Sequence, residues 1–178
     1  MGQIRLTYLD ESGFAPSLPV TCSWVLKGQR KRIPYENPEG RRVNALAALL
    51  HTVSETDLVW TTKPKAFVAD EIVQFLRELP PVDIPTVVVL DNAGIHRSKV
   101  VRAALPELWR RRVYLYYLPP YSPELNAIEP LFRVIKHDEL PERRYPTVAA
   151  LTAAIDTGFT NYRMRLHGKS HTQPGRAA

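Results

Sequence analysis

Apolar and polar residues alternate through "IRLTYL" (4–9), the period-2 pattern of a strand with one buried face. The run meets Asp10-Glu11-Ser12-Gly13, a cluster of turn-forming residues that predicts the strand's end. "CSWVLK" (22–27) and "RVNALAALLH" (42–51) predict two more strands, with "NPEG" (37–40) as the turn between them. The alanines within 45–48 leave a helix open as an alternative there. "DLVWTT" (57–62) predicts a further strand.

From Pro64 the period lengthens. Phe67, Ile72, Phe75, Leu76 and Leu79 recur at helical spacing within 64–79, with Pro64 in the expected first turn. After the stiff linker "LPPVDIP" (79–85), "TVVVLD" (86–91) is a β-branched run of the kind buried on both faces. Residues 98–112 predict a helix broken near Pro106, "VYLYYL" (113–118) a second buried strand, and 126–140 a helix. A last helix is predicted over 147–166, with Thr147 as its N-cap, followed by a disordered tail, "GKSHTQPGRAA". Strands first, then helix and strand in alternation, predict an α/β sheet. Its early strands are antiparallel, its later ones parallel, and helices pack on it.

The chain's 178 residues suit one domain, and no run approaches a membrane span or a signal peptide. The single cysteine, Cys22, excludes an intramolecular disulfide and a cysteine zinc cage. Cytoplasmic residence is the expectation. A formal charge of +6 suits a polyanionic partner. The cations cluster at Lys27, Arg30, Lys31 and Arg32, at Arg41 and Arg42, at Arg110, Arg111 and Arg112, and at Arg143 and Arg144. Any one cluster reads as solvated surface; several around an acidic site fit a phosphate backbone.

Acidic residues stand where two strands stop: Asp10 after "IRLTYL" and Asp91 after "TVVVL". Asp91-Asn92-Ala93-Gly94 is also good turn chemistry, so either aspartate reads equally well as a turn cap. Glu129 follows a loop stiffened by Pro119, Pro120 and Pro123. Convergence of the three would crowd like charges, and an all-oxygen donor set of this kind suits Mg²⁺ or Mn²⁺ rather than zinc. Two such ions would activate a water or hydroxyl and stabilise the leaving oxygen of a phosphodiester.

"YLDESGF" (8–14), "LDNAGIHRS" (90–98) and "LPPYSPELNAIEPLFRVIK" (118–136) together resemble the catalytic domain of DDE transposases. The likeness is to bacterial insertion-sequence enzymes related to the mariner superfamily, and the third motif is the most specific. The resemblance implies a ribonuclease-H-like mixed sheet over residues 1–166. It implies Asp10, Asp91 and Glu129 as catalytic residues and ligands of two Mg²⁺ ions, with Mn²⁺ as a substitute. Glu11 is the rival to Asp10; adjacent strand residues point to opposite faces, and the motif favours Asp10. Asn92, His96 and Asn126 match supporting positions, Asn126 being expected on the helical face of Glu129. The loop then serves to aim Glu129 at metals held mainly by the aspartates.

Double-stranded DNA is the implied partner, contacted by the basic clusters at 27–32, 41–42 and 110–112, and a homodimer is the implied active species. The sequence departs from the family in having Phe132 in place of tryptophan and Pro130 in place of arginine. With Asp10 so early, no helix-turn-helix recognition module is expected before it. A non-catalytic DNA-binding remnant and a standalone nuclease without strand transfer are the two alternatives.

Overall fold

The computed structural model describes residues 3–16, 25–30, 42–120, 122–140 and 145–170. Strands β1 (Arg5–Phe14), β2 (Val43–His51) and β3 (Thr56–Lys63) form an antiparallel meander. Helix α1 (Ala69–Glu78) then carries the chain across to β4 (Thr86–Leu90), which lies parallel to β1. Helix α2 (Lys99–Arg110) leads in the same way to β5 (Val113–Tyr117), parallel to β4. The sheet order is β3-β2-β1-β4-β5. The chain ends with α3 (Ile128–Val134), a π-helical turn (Ile135–Glu139) and α4 (Val148–Ser170). This is the mixed sheet that the order of elements predicts. No described helix is long and apolar enough to cross a membrane.

Each face of the sheet has its own core. Leu9, Leu46, Leu50, Val88 and Leu90 pack beneath α1 and α2. Phe14, Ala45, Ala47, Leu49 and Leu58 meet Ile128, Leu131, Phe132, Leu151 and Phe159 of α3 and α4. β2 is buried on both sides, so its sequence cannot alternate, and its small alanines occur within a strand rather than a helix. Phe132, in the position of the family's tryptophan, fills this second core edge-on to Phe159.

Several boundaries differ from expectation. Asp10 to Gly13 continue β1, paired with Ala47 to Asn44 of β2, so ladder hydrogen bonds override the local turn preference. At Gly13 a Cβ would lie 2.6 Å from the Arg42 guanidinium, so a larger residue there would make that exposed side chain shift. α1 starts five residues after Pro64, where the Glu71 carboxylate accepts from the Val68 N–H at 2.8 Å. Pro106 lies inside an unbroken α2. It is exposed, as is Arg102, so the carbonyl left without its intrahelical donor belongs to the solvent-facing side of the helix.

β5 is an edge strand with Tyr114 and Tyr116 exposed, not one buried on both faces. α3 starts at Ile128 rather than at 126, which places Pro130 in the first turn, where no amide hydrogen is needed. Thr147 is the N-cap of α4, accepting from Ala150 N at 3.1 Å, and the helix runs on to Ser170, beyond the expected 166. Of the strand expected at 22–27, residues 22–24, including Cys22, lie outside the described residues, as does "NPEG". Residues 25–30 form a turn closed by Gln29 N on Leu26 O, with Gly28 at φ 88°.

Candidate active site

The parallel ladder fixes the first two carboxylates. Tyr8 stands opposite Val89, so two residues further on Asp10 comes level with Asp91. Alternation then points both towards the face covered by α3, since Leu9 and Leu90 belong to the core on the other face. β1 runs past the end of β4 and carries Asp10 inside a strand, partly buried. Asp91 stands just beyond its strand, with a side chain 50% exposed.

Asp10 is held through both of its carboxylate oxygens and Asp91 through one. Asp10 Oδ1 accepts from Glu11 N at 2.7 Å, and its Oδ2 from Asn126 Nδ2 at 3.2 Å. Asp91 Oδ1 accepts from Ala93 N at 2.9 Å and lies 2.7 Å from His96 Nδ1. The Asp10 carboxyl is pushed up to about 7. Burial is the main cause, and the Asp91 and Glu11 carboxylates add to it against the Glu11 N–H and His96.

Glu11 points to the opposite face and reaches the same place from behind. The His96 ring is fully buried, with Nε2 3.2 Å from Glu11 Oε2. That contact has ion-pair distance but not hydrogen-bond direction, so Nε2 has no well-aligned partner. Burial draws the imidazole's pKa down, but Glu11 and Asp91 outweigh it and the net direction is up. His96 thus ties the end of β1 to the end of β4.

The proline loop forms the opposite wall. Asn92 Nδ2 donates to Leu118 O, and Leu118 N donates to Leu90 O at 2.8 Å, which ties the loop to the end of β4. Ser122 Oγ donates to Pro120 O at 3.4 Å. A cavity of about 370 Å³ lies between, with Asp91, Asn92, Pro119, Pro120, Asn126 and Glu129 in its walls. Asn126 precedes α3 rather than sharing its face with Glu129. Its side chain serves Asp10, and only its backbone carbonyl meets Glu129, accepting from Glu129 N at 3.1 Å.

An oxygen-only donor set with a buried, repelling carboxylate is suited to a hard divalent cation. Asp10 and Asp91 fit that role, and Glu129 faces the same cavity as Asp91. The three do not close into one cluster: among the described residues no three acidic, histidine or cysteine side chains lie close enough to share an ion.

The expected phosphate contacts divide. Arg42 is exposed beside Gly13, and its charge lowers the pKa of half-buried Lys136, whose ammonium lies 5.2 Å over the Phe14 ring. Burial is the larger cause of that lowering, and Asp10 opposes it. Lys136, present in the third motif but given no role by it, is therefore a half-buried cation that feels the charge of Asp10. Lys27 and Arg30 are exposed on the β1–β2 connection. Lys31, Arg32, Arg41, Arg143 and Arg144 lie outside the described residues.

Arg110, Arg111 and Arg112 stand before β5, at the end of the sheet opposite Asp91. They bond the carbonyls of Pro106, Arg77 and Asp83 respectively, and the structure does not bring them to the site.

A family profile of DDE superfamily endonucleases matches residues 5–152. The chain belongs to that family. Among solved structures, this endonuclease domain is similar to a Mos1 mariner paired-end complex with Mn at 18% identity and TM-score 0.62, covering 96% of this chain and 56% of that one. It is similar to the Mos1 strand transfer complex at 21% identity and TM-score 0.61, covering 94% and 50%. It also matches a chain of a simian T-cell lymphotropic virus intasome at 16% identity and TM-score 0.53, covering 99% and 58%. These likenesses establish a ribonuclease-H-like fold. The domain spans about half the length of the Mos1 chains it matches. No curated protein matches it.

Proposed function

We propose that the chain is the catalytic domain of an insertion-sequence transposase, with Asp10, Asp91 and Glu129 as its catalytic and metal-binding carboxylates. The observation that carries this reading is the parallel register that sets Asp10 level with Asp91 on the face of α3. Of that pair, Asp91 lines the same cavity as Glu129. The domain's matched family is one of endonucleases.

Two divalent ions, Mg²⁺ or Mn²⁺, would supply nucleophile activation and charge stabilisation at a phosphodiester. The chain's own residues do the rest. Asn126 holds Asp10, and His96 with the Ala93 amide holds Asp91, so both carboxylates keep a fixed direction. Glu129 is carried on a helix entered from a tethered proline loop, which sets its position from across the cavity. Lys136 feels the charge of Asp10, Arg42 stands beside Gly13 further along β1, and Lys27 and Arg30 add exposed cations on the connection that follows β1. All four favour double-stranded DNA, the substrate proposed for cleavage and for transfer of the freed 3′-hydroxyl. The active species is proposed to be a homodimer in the cytoplasm, holding two element ends.

The deciding experiment incubates the chain with supercoiled plasmid and Mg²⁺ or Mn²⁺, beside Asp91→Ala. Nicking by the wild type alone supports the reading. Equal behaviour of the two overturns it for this chain. Joined DNA molecules among the products distinguish a transposase from a nuclease that only cuts.

A further inference from the structure

Arg97 follows the site's histidine directly, and the proposed chemistry leaves it unused. Its side chain is exposed, yet two contacts hold it. Nη1 donates to Asn92 Oδ1 at 3.3 Å, and the guanidinium lies 5.8 Å over the Tyr117 ring. Both supports are themselves fixed. Asn92 is tied to Leu118 O, and Tyr117 donates its hydroxyl hydrogen to His96 O at 2.9 Å.

No carboxylate pairs with Arg97 among the described residues. Arg102, one turn into α2 and also exposed, adds a second positive charge, felt together with that of Arg97 at the Tyr117 hydroxyl. The Tyr117 pKa is nonetheless raised, because burial outweighs both cations.

An arginine stacked on an aromatic ring and fixed by an amide oxygen keeps its remaining N–H donors free and aimed, and has lost little further entropy when it binds. Its natural complement is a planar pair of anionic oxygens, as in a carboxylate or phosphate. It stands at the same strand ends as Asp91, and its anchor Asn92 is a wall of the cavity. Arg42 and Lys136 provide the cations on the Asp10 side. Arg97 and Arg102 provide them beyond Asp91, and a phosphate backbone crossing the carboxylates would meet a cation on leaving as on arrival.

We infer that Arg97, held by Asn92 and Tyr117 and assisted by Arg102, is a backbone-phosphate clamp for the DNA strand leaving the active site. This rests on the proposed function, and it adds a contact that none of the basic clusters in the sequence signals.

The test measures binding of a labelled duplex of arbitrary sequence in Ca²⁺ across a range of salt. It compares the wild-type chain with Arg97→Gln, Arg97→Lys, the double change Arg97→Gln with Arg102→Gln, and Arg110→Gln as a control at the far end. Arg97→Gln is expected to bind several-fold more weakly. Its slope of log affinity against log salt should fall by about 0.9, the share of one neutralised phosphate, and the double variant's by about twice that. Arg97→Lys should keep the wild-type slope with part of the affinity lost, which a purely structural role would not produce. Arg110→Gln should match the wild type.

Wild-type affinity and slope in Arg97→Gln would overturn the clamp while leaving the functional reading intact. Absence of salt-sensitive binding by the wild type would overturn both. If Arg97→Gln fails to fold, Arg97→Lys decides by the same two numbers: a slope or an affinity unlike that stated for it overturns the clamp.

Discussion

The two ends of the sheet treat their charges in opposite ways. Where β4 and β5 begin, cations find partners. Arg5 donates to Thr86 Oγ1 at 3.1 Å and to Pro80 O at 2.6 Å, and Arg112 donates to Asp83 O at 2.6 Å. Arg77 and Glu107 make a two-pronged pair at 3.0 and 2.6 Å. Where β4 ends beside β1, Asp10, Asp91 and Glu11 repel one another around the His96 imidazole, while Arg97 has no carboxylate partner among the described residues. A fold selected only for stability would settle its charges as the first end does. The crowding at the second end is a cost to the folded state, and such a cost persists where a ligand relieves it.

The largest effect that this contrast predicts follows from Asp10→Asn, which removes the charge and keeps the shape. With Asp10 as a metal ligand, as proposed, its loss should lower nicking by roughly 10³-fold or more, several kcal/mol of transition-state stabilisation. Stability should move the other way. The folded-state value of about 7 stands above the ordinary 3.8, so the native chain keeps a proton that the unfolded chain releases.

The metal-free wild type should therefore lose stability as pH rises from about 4 to about 7, with a ceiling of ~4 kcal/mol. Asp10→Asn should lack that loss, and Mg²⁺ should raise the melting temperature of the wild type only. Melting curves in chelator from pH 5 to pH 8 check this. Identical pH profiles for the two proteins would show that the carboxylates are not crowded at all.

A smaller effect is expected at Asn126, which is 2% exposed and donates to Asp10. Asn126→Ala leaves a buried carboxylate oxygen without its donor, at a cost of about 1–3 kcal/mol in denaturant titration. Asp10 also loses its fixed direction, so nicking should slow by roughly 10–100-fold, the range for residues that orient metal ligands. An unchanged nicking rate in a measurably destabilised variant would reduce Asn126 to a packing residue.

Legibility in the sequence follows the same contrast. The sheet was readable because period-2 alternation and β-branched runs report burial directly, and the end of β4 marked Asp91. Turn chemistry at 10–13 misled, since local preference says nothing of the β2 partner that extends the ladder. Pro106 misled because the cost of a missing amide depends on whether the freed carbonyl faces water.

Arg110–Arg112 drew attention by adjacency, but three neighbouring cations can each find a carbonyl. Lone Arg97 matters because its neighbours fix it without neutralising it, and that requires Asn92 and Tyr117 in three dimensions. Glu11 was visible only as a rival to Asp10; that it meets Asp91 through His96 from the other face needed the position of the loop after β4.

The smallest effect belongs to the paired end and makes the contrast sharpest. Arg77 and Glu107 are both 39% exposed, and their hydrogen bonds hold the Glu107 carboxyl below its ordinary value. Solvent screening makes such a pair weak whatever its geometry. Glu107→Gln should leave nicking and DNA binding as they are and lower the melting temperature only slightly. Because the folded-state value is depressed, that small difference should be present at neutral pH and vanish as pH falls through the carboxylate range. It should also fade towards 1 M salt, where the screening length shrinks to about 3 Å. Melting curves of the two proteins at pH 7 and pH 3, at low and high salt, test this. A large or salt-independent loss would mean that the far end stores its charge as tightly as the catalytic end, and the distinction between them would fail.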